Sequence, residues 1–201
     1  MSSLRPIDRP AGDPRDTYLD AARDCILDVG WRRTTLTEVA RRAGVSRMTI
    51  YRAWPDMGSL LGDLMTREWV GIAAATQGAA KDTTTPAGIA AAALSTVRAL
   101  RDNELFVRIV ELDPDLMLPY LLSRRGRSQE ALIEILAAEI ADGQAAGTIR
   151  AGDPVLMARS LTLAGHGFVF SAMTMTDGDI GLADLDDEYA RLVTGSLAPT
   201  P

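Results

Sequence analysis

The sequence predicts an all-α chain: a small N-terminal unit of three short helices, joined by a long fourth helix to a larger helical body. Three observations predict it. Apolar residues recur at i, i+3, i+4 spacing in segment after segment. Caps and breakers punctuate those segments where helices should start and stop. No stretch reads convincingly as a strand, and no internal repeat is visible. With 201 residues, 47% of them apolar, the chain can bury a real core in one ordinary domain or in a small and a medium one.

Composition excludes several classes. No apolar run reaches the roughly 18–20 residues of a membrane span, and the N-terminus lacks the hydrophobic stretch of a secretory signal. One cysteine and one histidine rule out an internal disulfide framework and argue against a zinc cluster. A cytoplasmic protein without metal or cofactor is expected, with no membrane partner.

Residues 1–14 carry three prolines, a glycine and no periodicity, and are expected to be a disordered arm. Arg15 to Val29 reads as the first helix, with Tyr18, Leu19, Ala22, Cys25, Ile26 and Val29 on one apolar face. Gly30 is its stop. Cys25 lies on the inner side and reads as a small core hydrophobe. Thr35-Leu-Thr-Glu38 has the spacing of a capping box, so a second helix starts there. Leu36, Val39, Ala40 and Ala43 face inward and Arg41 and Arg42 outward. Gly44 breaks this helix and Val45 plugs the corner.

Ser46 caps a third helix. With Ile50 taken as the inward direction and about 100° per residue, Trp54 joins it on the buried side. Met48 and Arg52 fall at the centre of the opposite face, flanked by Thr49 and Tyr51, with Arg47 in the first turn. Arginine can fork onto guanine O6 and N7, and a Met or Thr methyl can pack on a thymine methyl. Tyr and Thr hydroxyls suit phosphate oxygens. The charge distribution agrees. The chain carries a net −6, yet residues 31–54 hold six arginines (32, 33, 41, 42, 47 and 52) and one acid, Glu38. A local excess of positive charge on an acidic chain is a focused patch. Arg5 and Arg9 of the arm have the chemistry to touch a phosphate or minor groove, against the alternative of a solvated tail.

The run GWRRTTLTEVARRAGVSRMTIYRAWPDMGSLL resembles the DNA-binding signature of the tetracycline-repressor-like (TetR) family of bacterial regulators. The resemblance covers about residues 18–62, close to a quarter of the chain. It is carried by Gly30-Trp31, the Thr34-Thr35 pair, Val39-Ala40, Ala43-Gly44-Val45-Ser46, Thr49-Ile50-Tyr51 and Trp54. It implies that Thr35, Arg47, Met48, Thr49, Tyr51 and Arg52 stand where that family contacts DNA. It also implies a homodimer on double-stranded DNA with a palindromic operator, and a small-molecule effector bound in the body. The chain departs from the family at Met48, often glycine, at Ala53, usually His or Tyr, at Met57, commonly lysine, and at Gly58, commonly an acid. The last two put the expected phosphate contact at the start of the fourth helix in doubt. Gly58 should also loosen that start by up to about 1 kcal/mol.

Asp56 to about Ala80 reads as the fourth helix, with Leu60, Leu61, Leu64, Met65, Trp69, Ile72 and Ala73 on its apolar pattern. Its course, not a flexible linker, forms the boundary between a DNA-binding unit at 15–62 and a ligand-binding and dimerisation unit at 63–201. Lys81 to Pro86 is a loop. The body then reads as helices over Pro86–Leu100, Asn103–Leu112, Asp113–Leu122 with Pro119 interrupting, Arg124–Ala146, about 153–176, and Leu185–Leu197.

In the body the pattern is less specific. Trp69, Phe106, Met117, Tyr120, His166, Phe168, Phe170 and Met173 are pocket candidates suited to an apolar or amphipathic molecule; each also fits ordinary core. His166 reads equally as a packed interface residue. Arg124, Arg125 and Arg127 suit either an anionic ligand or a solvated helix start. Gly165 and Gly167 stand mid-helix, which a close helix approach would explain. Leu161, Gly165, Phe168, Ala172, Tyr189 and Leu192 are the candidates for the pairing surface that the resemblance implies. A dimeric, ligand-responsive transcription regulator, most often a repressor in that family, is therefore the expectation. The alternative is a helical ligand-binding or interaction module with weakened DNA binding. Nothing in the sequence supports an enzyme: no nucleophile with a positioned base and no phosphate-cradling glycine loop is present.

Overall fold

Helix α1 (Pro14–Val29) begins on Asp13, whose carboxylate accepts the Arg15 N–H at 2.9 Å, with Pro14 in the first turn. The computed structural model describes residues 13–79 and 82–199. The expected arm therefore gives up Asp13 and Pro14 to the helix. The remainder of it, with Arg5 and Arg9, lies outside the described residues. Gly30 takes a φ of +81° and closes α1 by donating its N–H to Ile26 O at 2.9 Å. A short 3-10 turn, Trp31–Arg33, follows, which periodicity had no means to register.

Helix α2 (Leu36–Arg42) starts on Thr35, whose hydroxyl accepts the Glu38 N–H at 3.2 Å. Only this half of the expected capping box forms. The Glu38 carboxylate turns instead to the Arg41 guanidinium, at 2.9 and 2.6 Å, because the charged fork offers a stronger partner than the cap amide. Gly44, at φ +69°, makes the tight turn into α3 (Arg47–Ala53), which Ser46 caps through the Thr49 N–H. Each such cap is worth about 1 kcal/mol. Helix α4 (Met57–Ala79) opens on Asp56, whose carboxylate accepts the Ser59 N–H at 2.7 Å.

These four helices close on one core: Leu19, Ala22, Cys25 and Ile26 from α1, Val39 and Ala40 from α2, Ile50 and Trp54 around α3, and Leu60 and Leu64 from α4. Cys25 is 1% exposed, and burial pushes its thiol up, so it is a packing group rather than a nucleophile. The core does not stop at residue 62. Leu105, Phe106 and Ile109 of α6 (Glu104–Leu112) and Met117 belong to it, so head and body share packing.

A second core joins α5 (Pro86–Arg101), α8 (Arg127–Ala145), α9 (Pro154–Phe170) and α10 (Leu182–Leu197) through Ile89, Val97, Ile140, Leu161, Tyr189 and Leu197. Four boundaries differ from expectation. Pro114–Leu116 is a separate 3-10 turn, and Pro119 sits in the first turn of α7 (Leu118–Leu122), where its missing N–H costs nothing; it opens this helix and does not interrupt one. Helix α8 starts at Arg127, because Gly126 is extended and donates its N–H to the Gln129 side chain at 2.7 Å. Helix α9 ends at Phe170. Beyond it Thr174 and Thr176 bond back to carbonyls three residues behind, and the 3-10 turn Ala172–Met175 replaces the last helical turn. Helix α10 starts earlier than expected, on Gly181, which donates its N–H to the Asp184 carboxylate at 2.8 Å. Among the described residues there is no strand, and no helix is long and apolar enough to cross a membrane.

Candidate nucleic-acid interface and cavity

Two apolar anchors hold α3 down. Ile50 is fully buried and Trp54 is 1% exposed. Because the helix turns about 100° per residue, this burial forces Met48 and Tyr51 outward, at 63% and 49% exposure, with Arg47 and Arg52 beside them. Thr49 is half-buried and its hydroxyl lies 2.9 Å from that of Ser46. Thr35 is exposed at the start of α2, its oxygen engaged as the cap. Of the six predicted residues, Thr35, Arg47, Met48, Tyr51 and Arg52 are exposed and Thr49 is half-buried.

The arginine patch is thinner than its count. Arg41 is held by Glu38, Arg42 by Asp28 at 2.5 Å, and Arg32 by Asp113 and Asp115 at 3.0 Å each. Among the described residues, Arg33, Arg47 and Arg52 have no carboxylate within 4 Å. Two of these three flank the exposed face of α3. Met57 is half-buried against the head core, and Asp56, its carboxyl held below the usual range by the Ser59 amide, occupies the helix N-terminus.

Two ties fasten the head to the body. Trp54 donates its indole N–H to Asp63 Oδ2 at 2.7 Å, and the Arg15 guanidinium lies 5.0 Å over the Trp54 ring and 3.3 Å from the same carboxylate. The other oxygen, Oδ1, meets Arg127 of α8 at 2.5 Å. Burial works against the Asp63 charge, but Trp54, Arg127 and Arg15 together hold its carboxyl below the usual range. The second tie is Asp113, which accepts the Trp31 N–H from the loop after α6.

Between α4, α5, α8 and α9 lies a cavity of about 680 Å³, within the usual range for small-molecule sites. Trp69, Phe106, Met117, Tyr120, His166 and Phe170 all line it. An aromatic row runs along its wall, with centroids 6.1 Å apart for Trp69–Phe106, 5.3 Å for Phe106–Phe170 and 6.3 Å for Phe170–His166. Met173 is not part of it. It sits on the 3-10 turn after α9, 67% exposed, because the helix ends before it can reach inward. Phe168 also lies outside, stacked on Tyr189 at 4.5 Å.

Sequence reasoning missed Gln129. This buried side chain faces His166 Nε2 at 3.4 Å and also donates to Tyr120 O at 3.3 Å. A glycine cap before it left no hydroxyl to mark the box. Burial lowers the His166 pKa, so the ring is held neutral and able to accept from the amide. The Trp69 indole N–H is buried with no acceptor among the described residues. Among those residues no group of three or more His, Cys, Asp or Glu is placed to hold a metal.

Residues 19–64 match the model of the bacterial regulatory proteins of the tetR family. An uncharacterised HTH-type transcriptional regulator of Mycobacterium bovis is 34% identical over 190 residues, spanning 93% of this chain and 97% of the relative. The chain belongs to the TetR family. The HTH-type transcriptional regulator AlkX of Mycobacterium tuberculosis is 57% identical over 48 residues, 24% of this chain and 21% of that protein. The TetR-family transcriptional repressor QsdR of R. erythropolis has the same fold, with a TM-score of 0.69 at 15% identity over 94% of this chain and 97% of QsdR. The α1–α3 unit is thus the DNA-binding helix-turn-helix of a TetR-family transcription regulator.

The residues expected to pair two TetR-type protomers divide into two groups. Leu161, Gly165, Ala172 and Tyr189 are buried within the chain itself and present no outward face. The bare Gly165 backbone accommodates the Tyr189 hydroxyl, which would lie 3.1 Å from an added Cβ, so the close approach is made inside the protomer. Phe168 is half-buried against the same tyrosine. Leu192, 52% exposed, is the outward member of the set. On α9 the most exposed large apolar residues are Leu156 and Leu163, at 62% and 72% exposure, with Val155 at 43%, which sequence reasoning passed over.

Proposed function

We propose that the protein is a dimeric repressor that holds a palindromic operator and is released from it by a small, largely apolar ligand in the body. One observation carries this reading: the face of α3 built from Arg47, Met48, Tyr51 and Arg52 is exposed and unpaired, while Ile50 and Trp54 fix its orientation. Such a face offers forked donors for guanine, a methyl-bearing chain for thymine and a hydroxyl for phosphate. Thr35 adds a hydroxyl at the start of α2.

A single head reads only a half-site. Two heads about one helical turn apart read a palindrome, which calls for a two-fold pair. Leu156 and Leu163 of α9 and Leu192 of α10 supply an apolar face for it. Gly167 and Gly195, where an added Cβ would meet nothing within 4 Å, allow a second copy to approach closely. The cavity is lined by α4, whose first turns carry the head, so a ligand there bears on head spacing. It weakens DNA binding by the difference in its affinity for the two arrangements. QsdR, of the same fold, is a repressor, and that sign of regulation is carried over here.

The test is nuclease protection of the DNA upstream of the gene, titrated with full-length protein at several stated salt concentrations. A protected palindrome supports the reading. Absence of protection at every salt concentration sinks it. Sedimentation of Leu163→Arg against wild type checks the pair: a monomer is expected from the variant.

A further inference from the structure

We propose that the ligand is a single-chain amphiphile with an anionic head group, and that the head competes with Asp63 for Arg127. This rests on the reading of the cavity as the effector site and names the chemistry that site selects. The cavity is long. On α8 its lining runs from Arg127 through Gln129, Leu132 and Leu136 to Glu139. The twelve residue-to-residue steps from Arg127 to Glu139, at 1.5 Å rise each, span about 18 Å. An extended tail fits such a shape.

The two ends differ in charge. Along the interior, the ionisable groups include His166, Glu139 and Tyr189, and burial pushes the first down and the other two up, which shifts each toward its neutral form. At the other end Arg124, Arg125 and Arg127 line the opening within four consecutive positions. Leu121 of α7 also lines the cavity and is exposed, which adds an apolar side chain beside these arginines. The carboxylates at the same end are engaged elsewhere: Asp115 with Arg32, and Asp56 with the Ser59 amide. Arg125 has Glu130 only at 3.8 Å, and Arg124 lies over the Tyr120 ring, 5.0 Å from its centroid, with no carboxylate within 4 Å among the described residues. Guanidinium groups of this kind fork onto carboxylate and phosphate alike.

Arg127 links this portal to the head. It lines the cavity and contacts Asp63, which also receives the Trp54 indole at the end of the recognition helix. Its guanidinium lies along the bare backbone at Gly62, where an added Cβ would stand 3.1 Å from Nη2. A head group at the portal offers Arg127 a second anion. When Arg127 takes it, Asp63 keeps Trp54 and Arg15 but loses its link to α8. Linkage then requires that operator DNA and ligand weaken each other by the same factor.

The probes are dodecanoate, dodecyl phosphate and 1-dodecanol, which share one tail. Each is titrated below its micelle concentration against full-length protein carrying the neutral dye N-phenyl-1-naphthylamine. At least one of the anions is expected to displace the dye at ten-fold lower concentration than the alcohol, and the two anions distinguish carboxylate from phosphate. In Arg124→Gln/Arg127→Gln the anion-to-alcohol ratio should fall below about three-fold. Asp63→Asn, which retains an acceptor for Trp54 and removes the rival charge, should tighten anion binding and reduce the anion's effect on operator affinity. Equal binding of alcohol and anions, or a ratio unchanged in the double variant, overturns the proposal while the cavity reading stands. A dye that fails to bind the folded wild type overturns both.

Discussion

The buried carboxylate of Asp113 accepts the backbone N–H of Trp31 at 3.0 Å and meets Arg32 Nε at 3.0 Å with its other oxygen. Asp113 is 2% exposed, so the Trp31 N–H has little access to water as a substitute partner. The left-handed Gly30 brings this turn in against Leu112, where an added Cβ would stand 3.2 Å from the side chain. Asp113→Ala leaves the amide orphaned and should cost about 2–3 kcal/mol. Asp113→Asn keeps an acceptor and should cost less. Urea melts measure the stability, and hydrogen exchange at residues 31–36 should accelerate in the alanine variant. An alanine variant as stable as wild type would show that this contact does not fasten the head.

The unpaired and paired arginines of the head should behave differently on DNA. Arg47→Ala or Arg52→Ala should each weaken operator binding by roughly 1–3 kcal/mol if the side chain reads a base, and a phosphate contact should reduce the salt slope by about one. Arg41→Ala removes a guanidinium already held by Glu38 and should change affinity less. Fluorescence anisotropy on the operator at four salt concentrations separates these, with melting curves as the control for folding. Wild-type affinity and slope in both Arg47 and Arg52 variants would remove α3 as the reading element.

The head was legible because short-range physics decides it. Ser46, Ile50 and Trp54 fix the rotation of α3, and with it the outward direction of Met48 and Arg52, from spacing alone. The pairing of its arginines was not legible. Arg32 finds Asp113 and Asp115 more than eighty positions away, and no local pattern announces that contact. The same limit applies to the body. Eight residues suggested a cavity and six of them line it, but Gln129 and the Asp63–Arg127 link depend on how α8 lies against α4. Gly165 shows the converse. Its mid-helix position signalled a close approach, yet the approaching group is Tyr189 of the same chain.

Asp186 of α10, 4% exposed, receives Arg98 Nε and Arg101 Nη2 of α5 at 2.6 Å each. Arg101 is itself 10% exposed at the side chain, so Asp186→Ala leaves a largely buried guanidinium without its counter-charge. The expected loss is about 3–5 kcal/mol. Arg98 is half exposed, so Arg98→Ala should cost much less. Chemical denaturation of the two variants checks the order, and a larger loss from Arg98 than from Asp186 would contradict it.

His166 gives stability a pH dependence whose sign follows from its burial. Burial lowers its pKa in the fold below the ordinary imidazole value of about 6.5. Between those two values the unfolded chain binds the proton more readily than the folded one. Stability from this group is therefore complete above about pH 6.5 and is lost as the pH falls through the folded value. The carboxyls of Asp56, Asp63 and Asp177 are pushed down, so their contributions fall at lower pH. Glu139, pushed up by burial, acts in the opposite sense but is present in wild type and variant alike. Urea melts of wild type and His166→Phe at pH 7.5, 6.5 and 5.5 isolate the histidine. The stability difference should shift in favour of the variant as the pH falls, and parallel curves would mean that the imidazole titrates in the fold as it does in water.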